Sequence, residues 1–333
     1  MGIPFSPGLI ICAVGVYISY TLYGLFQEVI FATNWGSEAN PAHFHYTLTM
    51  LTLQTAFNSL MALVCMVVLP ESQESRNSLF SSTSTLLAYA LASAAYIGAM
   101  IASNASLAHI DYPTQVLGKS CKPLALVIVA LVTCRGVPRH KVASVSLITA
   151  GIVAFNLERV KAGSTAAPNA DLTLGRMLIV ASLAFDGISG LVQDGMVRRL
   201  QPTPYQMMAY NNGFSVLYLL IGVLLTGEGP ASISFLTTHT AIWQPLAGFA
   251  LCSAIGQIFI YHTVRSYGSL ATSIVTTTRK FFTIIVSVMW FGHSLSTSQW
   301  TAVAVVFAGL MLHVYLGHAA KASAAKHPPK KDD

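Results

Sequence analysis

Apolar runs of roughly bilayer-crossing length, broken by short polar segments, fill the chain from Gly8 to Leu316. A helical span needs about 20 mostly apolar residues, and this pattern predicts ten. They are Gly8–Ile30, Tyr46–Leu69, Thr83–Ala108, Pro113–Thr133, Val142–Leu157, Gly175–Val197, Gln206–Thr226, Ala241–Val264, Ser269–Phe291 and Gln299–Leu316. The fifth is short, about 24 Å at 1.5 Å per residue, and is expected to match the bilayer thinly. Polar joints such as Pro70–Ser78 and Arg135–Lys141 separate the spans, and after Gly317 the chain turns to Ala and Lys. The reading is an all-α membrane protein: a transmembrane domain over 1–317 and a cytosolic basic tail over 318–333.

A faint internal repeat accompanies the spans. Shifting by 158 residues lays Pro113–Leu157 over Ala271–Tyr315 without a gap. It superposes Thr114 on Thr272, Lys122 on Lys280, Val145 on Val303, Ala150 on Ala308 and Gly151 on Gly309. The intramembrane lysine is the informative match. Repeat one then covers about 8–157 and repeat two about 175–316. An odd number of helices per half inverts the second half relative to the first, so the fold predicted is two inverted five-helix repeats.

Composition excludes several classes. Of 333 residues, 54% are hydrophobic and 9% charged, against about 25% charged in a soluble domain. A water-soluble enzyme, a nucleic-acid binder and a disordered protein are all poor fits; the expected surroundings are membrane lipid. The net charge of +6 says less than its placement. With both termini in the cytosol, eleven Lys and Arg fall on the cytosolic side, and Arg159, Lys161 and Arg176 on the other. That is a positive-inside bias. No cleavable signal is read at Met1–Pro7. The five cysteines lie in apolar stretches without a CxxC pair and read as small hydrophobes.

Four cations remain inside spans: Lys119, Lys122, Arg279 and Lys280. A Lys or Arg at the bilayer centre costs roughly 2.5–3.5 kcal/mol even on a lenient scale. Lys119 lies within snorkelling range of an interface. Lys122 and Lys280 sit about 15 Å inside their spans at 1.5 Å per residue, which points them toward a polar cavity. Gln115, Lys119 and Lys122 share a helix face by their i, i+4, i+7 spacing. Pro123 removes an N–H and leaves the Lys119 carbonyl without its usual partner, so the helix is expected to break there. In span nine, Ser269, Thr272, Ser273, Thr276, Lys280, Thr283 and Ser287 recur at helical spacing as a polar stripe. The acids are fewer: Glu28, Asp186 and, near a span end, Asp194. Such a cavity is neutral to positive and favours an anionic ligand.

Weaker signals are His43-Phe44-His45, which lacks a third metal ligand, and the sequon Asn104-Ala105-Ser106 at the edge of span three. No P-loop, GxSxG elbow, HExxH or paired acid cluster occurs, so phosphate recognition must come from cationic side chains, and no cofactor is expected.

At these residues the sequence resembles the nucleotide-sugar transporters of solute carrier family 35, subfamily B. This is the UDP-galactose transporter-like branch of the drug/metabolite transporter superfamily. The resemblance is strongest over Tyr112–Pro123 (YPTQVLGKSCKP) and Thr276–Phe282 (TTTRKFF). It extends to Tyr23–Glu28, Asp186-Gly187, Gln193-Asp194, Met207-Met208 and Ser253–Gln257. It implies a midplane cavity exchanging a nucleotide-sugar for a nucleoside monophosphate. On that resemblance, Lys119, Lys122, Arg279 and Lys280 hold phosphates. Gln115, Thr276 and Asn212 contact base, ribose or sugar, and Gln27 and Glu28 lie at the luminal side of the cavity.

The function expected is an antiporter bringing UDP-galactose, or UDP-glucose, from cytosol to lumen. ATP/ADP exchange across the endoplasmic reticulum membrane is the close alternative, and a membrane-embedded transferase the distant one. Lys330 and Lys331 stand fourth and third from the C-terminus, the form of a dilysine retrieval signal read by cytosolic coat proteins. Residence in the endoplasmic reticulum is therefore expected, with the Golgi as second choice.

Overall fold

The computed structural model describes residues 7–37, 41–69, 83–106, 109–110, 115, 118–134, 137–163, 172–290 and 296–326. Among them the long regular elements are α-helices: α1 (Pro7–Ala32), α2 (Thr47–Val68), α3 (Thr83–Ser106), α4 (Lys122–Val132), α5 (Arg139–Gly163), α6 (Leu172–Leu200), α7 (Pro204–Thr226), α8 (Glu228–Thr238), α9 (Trp243–Trp290) and α10 (Thr297–Lys326). Among the described residues, six helical segments are long and apolar enough to cross a membrane: α1, α2, α3, α6, α7 and Thr240–Arg279. Lys122–Val132 and Lys141–Phe155 are shorter apolar helices.

Local chemistry explains the boundaries. Thr203 caps α7: its side chain accepts from the Gln206 N–H while Gln206 Oε1 accepts from the Thr203 N–H. Pro204, lacking an N–H, fits the first turn. Helix α9 runs 48 residues but breaks at Gly268, with φ 87° and ψ 168°. The break falls between the two spans predicted there. The fifth predicted span, expected to be short, lies inside the 25-residue α5, about 38 Å at 1.5 Å per residue. Polar residues at both ends, from Arg139 and out to Lys161, continue its helix past the apolar run. Helix α8 occupies what the sequence left as a joint. Gly227, at φ 68°, ends α7 and starts α8, and Glu228 Oε1 accepts from the Thr49 N–H at 2.8 Å.

The chain forms two compact units, each assembled from separated segments. One takes Ile11–Gly98 and Val192–Thr276; the other takes Met1–Ile10, Ala99–Leu191 and Thr277–Asp333. We call them the amide unit and the lysine unit, after the polar residues inside each.

The amide unit turns a soluble protein's pattern inside out. Along α1, Ile11, Val14, Ile18, Leu22, Leu25 and Val29 are exposed, a face suited to lipid. Gln54, Asn58, Ser93, Gln206, Asn211, Asn212 and Ser253 are buried. Met207, Met208, Tyr89, Ala254 and Tyr261 form one apolar cluster, and Phe44, Ile30, Met50, Leu246 and Phe249 another.

In the lysine unit α5 packs on α10. Ser144 Oγ and His313 Nδ1 lie 3.0 Å apart, Gly309 faces Ile148, and Gly151 faces Val306. One number falls as the other rises, so the helices run antiparallel. Phe155 meets Phe281 edge-on, with ring centroids 5.1 Å apart.

Candidate functional site

The lysine unit carries a compact ionic cluster. Cys121 ends a turn in which its N–H bonds the Gly118 carbonyl at 3.0 Å. Helix α4 then starts at Lys122 with Pro123 in its first turn, as the missing proline N–H dictates. The break expected at Pro123 is thus present, and Lys119 and Lys122 flank it. Gly118 brings this segment against Ile179 of α6, where a Cβ would fall 2.6 Å from Ile179 Cγ2.

That close approach delivers both lysines to Asp186 on α6. Lys119 Nζ donates to Asp186 Oδ2 at 2.7 Å, and Lys122 Nζ lies 2.8 Å from Asp186 Oδ1. Lys119 Nζ also donates to Ser182 Oγ at 2.6 Å, and Ser182 Oγ donates to the Ala99 carbonyl. Side-chain exposure grades outward: 7% for Asp186, 19% for Lys119 and 33% for Lys122. Gln115 Nε2 donates to the Ser103 carbonyl at 2.6 Å and to Ser103 Oγ at 3.2 Å. Among the predicted residues of this unit, Arg279 is half-buried on α9. Lys280 lies on the same helix, and its side chain is outside the described residues.

The amide unit holds a buried neutral network. Gln54 Nε2 donates to Ser253 Oγ at 2.7 Å, and Asn58 Nδ2 donates to the same oxygen at 3.1 Å and to Asn212 Oδ1 at 3.3 Å. Asn212 Nδ2 donates to Gln257 Oε1 at 2.6 Å and to the Met208 carbonyl at 2.8 Å. Tyr23 Oη donates to Gln54 Oε1 at 3.3 Å. Asn58 Oδ1 is buried without a hydrogen-bond partner. Thr276 returns its hydroxyl to the Thr272 and Ser273 carbonyls of its own helix. Gln27 is half-buried and Glu28 exposed on α1.

At the Gly268 break, Asp194 Oδ1 accepts from the Ser269 N–H at 2.8 Å and Oδ2 from the Ser269 hydroxyl at 2.7 Å. A carboxylate from α6 thus caps the second half of α9, where helix N–H groups lack intrahelical partners.

Sequence reasoning had the lysines, the intramembrane acid Asp186 and Asn212, but not which of several acids the lysines meet, nor the polar side chains around them. The missing signals were i, i+4 polar pairs inside apolar helices: Ser182 with Asp186, Gln54 with Asn58, and Ser253 with Gln257. Among the described residues no group of three His, Cys, Asp or Glu is placed to hold a metal. Lys330 and Lys331 lie outside the described residues.

Comparison with known proteins agrees with a carrier. The UAA transporter family matches residues 8–317. Solute carrier family 35 member B1 of Xenopus tropicalis is 36% identical over 314 residues, covering 94% of this chain and 95% of that one. The Danio rerio protein of the same name is 37% identical over 312 residues, covering 93% and 92%. The Drosophila melanogaster member B1 homolog is 33% identical over 335 residues, covering 99% and 96%. One solved crystal structure superposes with a TM-score of 0.65 at 11% identity, over 94% of this chain and 98% of that chain, a likeness of fold alone. A near-full-length family match, joined to cations set within apolar stretches, settles the class: the chain belongs to the UAA transporter family and is a transporter rather than an enzyme.

Proposed function

We propose that the chain is an antiporter that moves a nucleotide-sugar from cytosol to lumen in exchange for a nucleoside monophosphate. UDP-galactose is the leading substrate, with UDP-glucose beside it. The observation that carries the reading is the meeting of Lys119 and Lys122 at a broken helix on one carboxylate. Cations at such cost persist in a membrane where they serve a charged ligand or pathway, and paired phosphates match two ammoniums. Asn212 is assigned to base, ribose or sugar on the resemblance to the family. Arg279 and Lys280 are assigned to phosphate, and Gln115, Thr276, Gln27 and Glu28 to the rest of the cavity.

Ten spans in two inverted halves fit this activity, because alternating access rocks one repeat against the other. Division of α9 at Gly268 and the antiparallel α5–α10 pair support that arrangement. Both termini are assigned to the cytosol by the positive-inside bias. Lys330 and Lys331 then serve retrieval to the endoplasmic reticulum by coat proteins, and their replacement with serine should release the protein to the Golgi.

Uptake of labelled UDP-galactose and labelled ATP into proteoliposomes, preloaded with UMP or ADP, tests the reading. UDP-galactose uptake that depends on internal UMP is the result expected. ATP uptake dependent on internal ADP replaces the sugar carrier with an adenine-nucleotide exchanger using the same cations. Lys122→Ala and Lys280→Ala should each lower exchange about 10- to 150-fold, the worth of one charge-assisted contact. No exchange with any nucleotide overturns the proposal.

A further inference from the structure

We infer that Asp186 is a resident stand-in for the ligand's phosphate, which an arriving anion displaces from Lys122 and then from Lys119. The inference rests on the reading that these lysines take an anionic ligand. One carboxylate spreads its two oxygens over two ammoniums, Oδ2 at 2.7 Å from Lys119 and Oδ1 at 2.8 Å from Lys122. Two oxygens of a phosphate group present the same spacing and charge-assisted geometry.

Burial sets the order of events. Asp186 is 7% exposed and Lys119 is 19% exposed, with Ser182 as a further anchor, whereas Lys122 is 33% exposed. An anion therefore meets Lys122 first. Two lysines left unpaired in apolar surroundings are costly, and Asp186 removes much of that cost while no ligand is bound. Binding is then an exchange of one anion for another. The ligand gains only the difference between its own contacts and those of Asp186, so it leaves readily and the carrier turns over.

Replacing the carboxylate with its neutral isostere separates this role from packing. With purified full-length protein, Asp186→Asn should bind pyrophosphate, ADP and UDP-galactose about tenfold more tightly, the worth of one lost competing charge contact. In proteoliposomes KM and kcat should both fall, because tighter binding slows release. Lys122→Gln should weaken pyrophosphate binding at least tenfold, and adding Asp186→Asn to it should restore most of the loss. This double variant removes one charge of each sign and carries the test where Asp186→Asn does not fold.

Pyrophosphate binding without nucleotide binding removes the nucleotide reading, while the Asp186 comparison is still made on pyrophosphate. Nucleotide binding that Asp186→Asn leaves unchanged or weakens overturns the stand-in role alone. A double variant no better than Lys122→Gln overturns it as well. A parent protein that binds neither pyrophosphate nor nucleotide overturns both.

Discussion

Gly151 lies against Val306, and the residues 158 positions away from each, Gly309 and Ile148, lie against one another on the same pair of helices. Contacts of the form i to j′ and i′ to j are what the proposed inverted repeat, with its two-fold relation, expects. A Cβ on Gly151 would meet Val306 Cγ2 at 2.7 Å and the Ala302 carbonyl oxygen at 3.0 Å; one on Gly309 would meet the Ile148 backbone nitrogen at 2.9 Å. Gly151→Ala and Gly309→Ala should therefore each destabilise. Overpacking costs about 1–3 kcal/mol, offset by about 1 kcal/mol of better helix propensity. The thermal unfolding midpoint should drop by similar amounts in both variants, and Val306→Ala should partly rescue Gly151→Ala. Rescue should be partial as well for Gly309→Ala combined with Ile148→Ala, because backbone atoms obstruct at both glycines.

The break in α9 gives a second expectation. Asp194→Ala removes the acceptors of both the Ser269 N–H and the Ser269 hydroxyl, whereas Ser269→Ala removes one bond and leaves the N–H bonded. Loss of a helix cap costs about 0.5–2 kcal/mol, so Asp194→Ala should lower the unfolding midpoint more than Ser269→Ala. Gly268→Ala should cost about 1–3 kcal/mol for a different reason. Its φ of 87° belongs to a region that residues with a side chain rarely enter, although a Cβ there would meet Asp194 Oδ1 at an ordinary contact distance of 3.6 Å. Hydrogen exchange over Ser269–Ala271 should speed up in Asp194→Ala and Gly268→Ala alike. Unchanged exchange would remove the capping role.

Ser253 tests the buried amide network. Its Oγ accepts from both Gln54 and Asn58, so Ser253→Ala leaves two buried amides short of an acceptor. An unsatisfied buried polar group costs about 1–3 kcal/mol. Ser253→Ala should lower the unfolding midpoint by more than Ser59→Ala, since the Ser59 hydroxyl donates to the Ala209 carbonyl from a half-buried position. Equal effects would mean that the network contributes no more than any single bond.

Helices and breaks were the legible part of this fold. Length and hydropathy placed α1, α2, α3, α6 and α7 within a few residues, and Pro123 announced the start of α4. The neighbours of each helix were not legible. In lipid almost every helix is apolar on most sides, so periodicity does not say which face meets which partner. Lys119 and Lys122 could be placed on one face, yet nothing in their own span pointed to Asp186. Helix α8 was missed because eleven residues starting at Glu228 carry no long apolar run, and it is tied down by Thr49 of α2, which bonds both Glu228 and Ser232 of α8. Asn212 was read as a ligand contact, and the structure adds that its amide is engaged by Gln257, Met208 and Asn58.

The last expectation separates the structural from the transport role of the two lysines. Lys119→Ala leaves Asp186 paired with Lys122, and Lys122→Ala leaves it paired with Lys119, so each single variant should fold. Lys119→Ala should be the less stable of the two, since its ammonium also serves Ser182 at the more buried position. The double variant strands a carboxylate only 7% exposed. Breaking a buried pair in that way costs about 3–5 kcal/mol, and the folded yield on size-exclusion chromatography should collapse. Adding Asp186→Ala to the double variant removes the stranded charge and should recover the folded peak. Exchange should stay lost in that triple variant, because no cation of the pair remains to hold an anion. Recovery of transport together with folding would show that the lysines exist to satisfy Asp186 and that the ligand binds elsewhere.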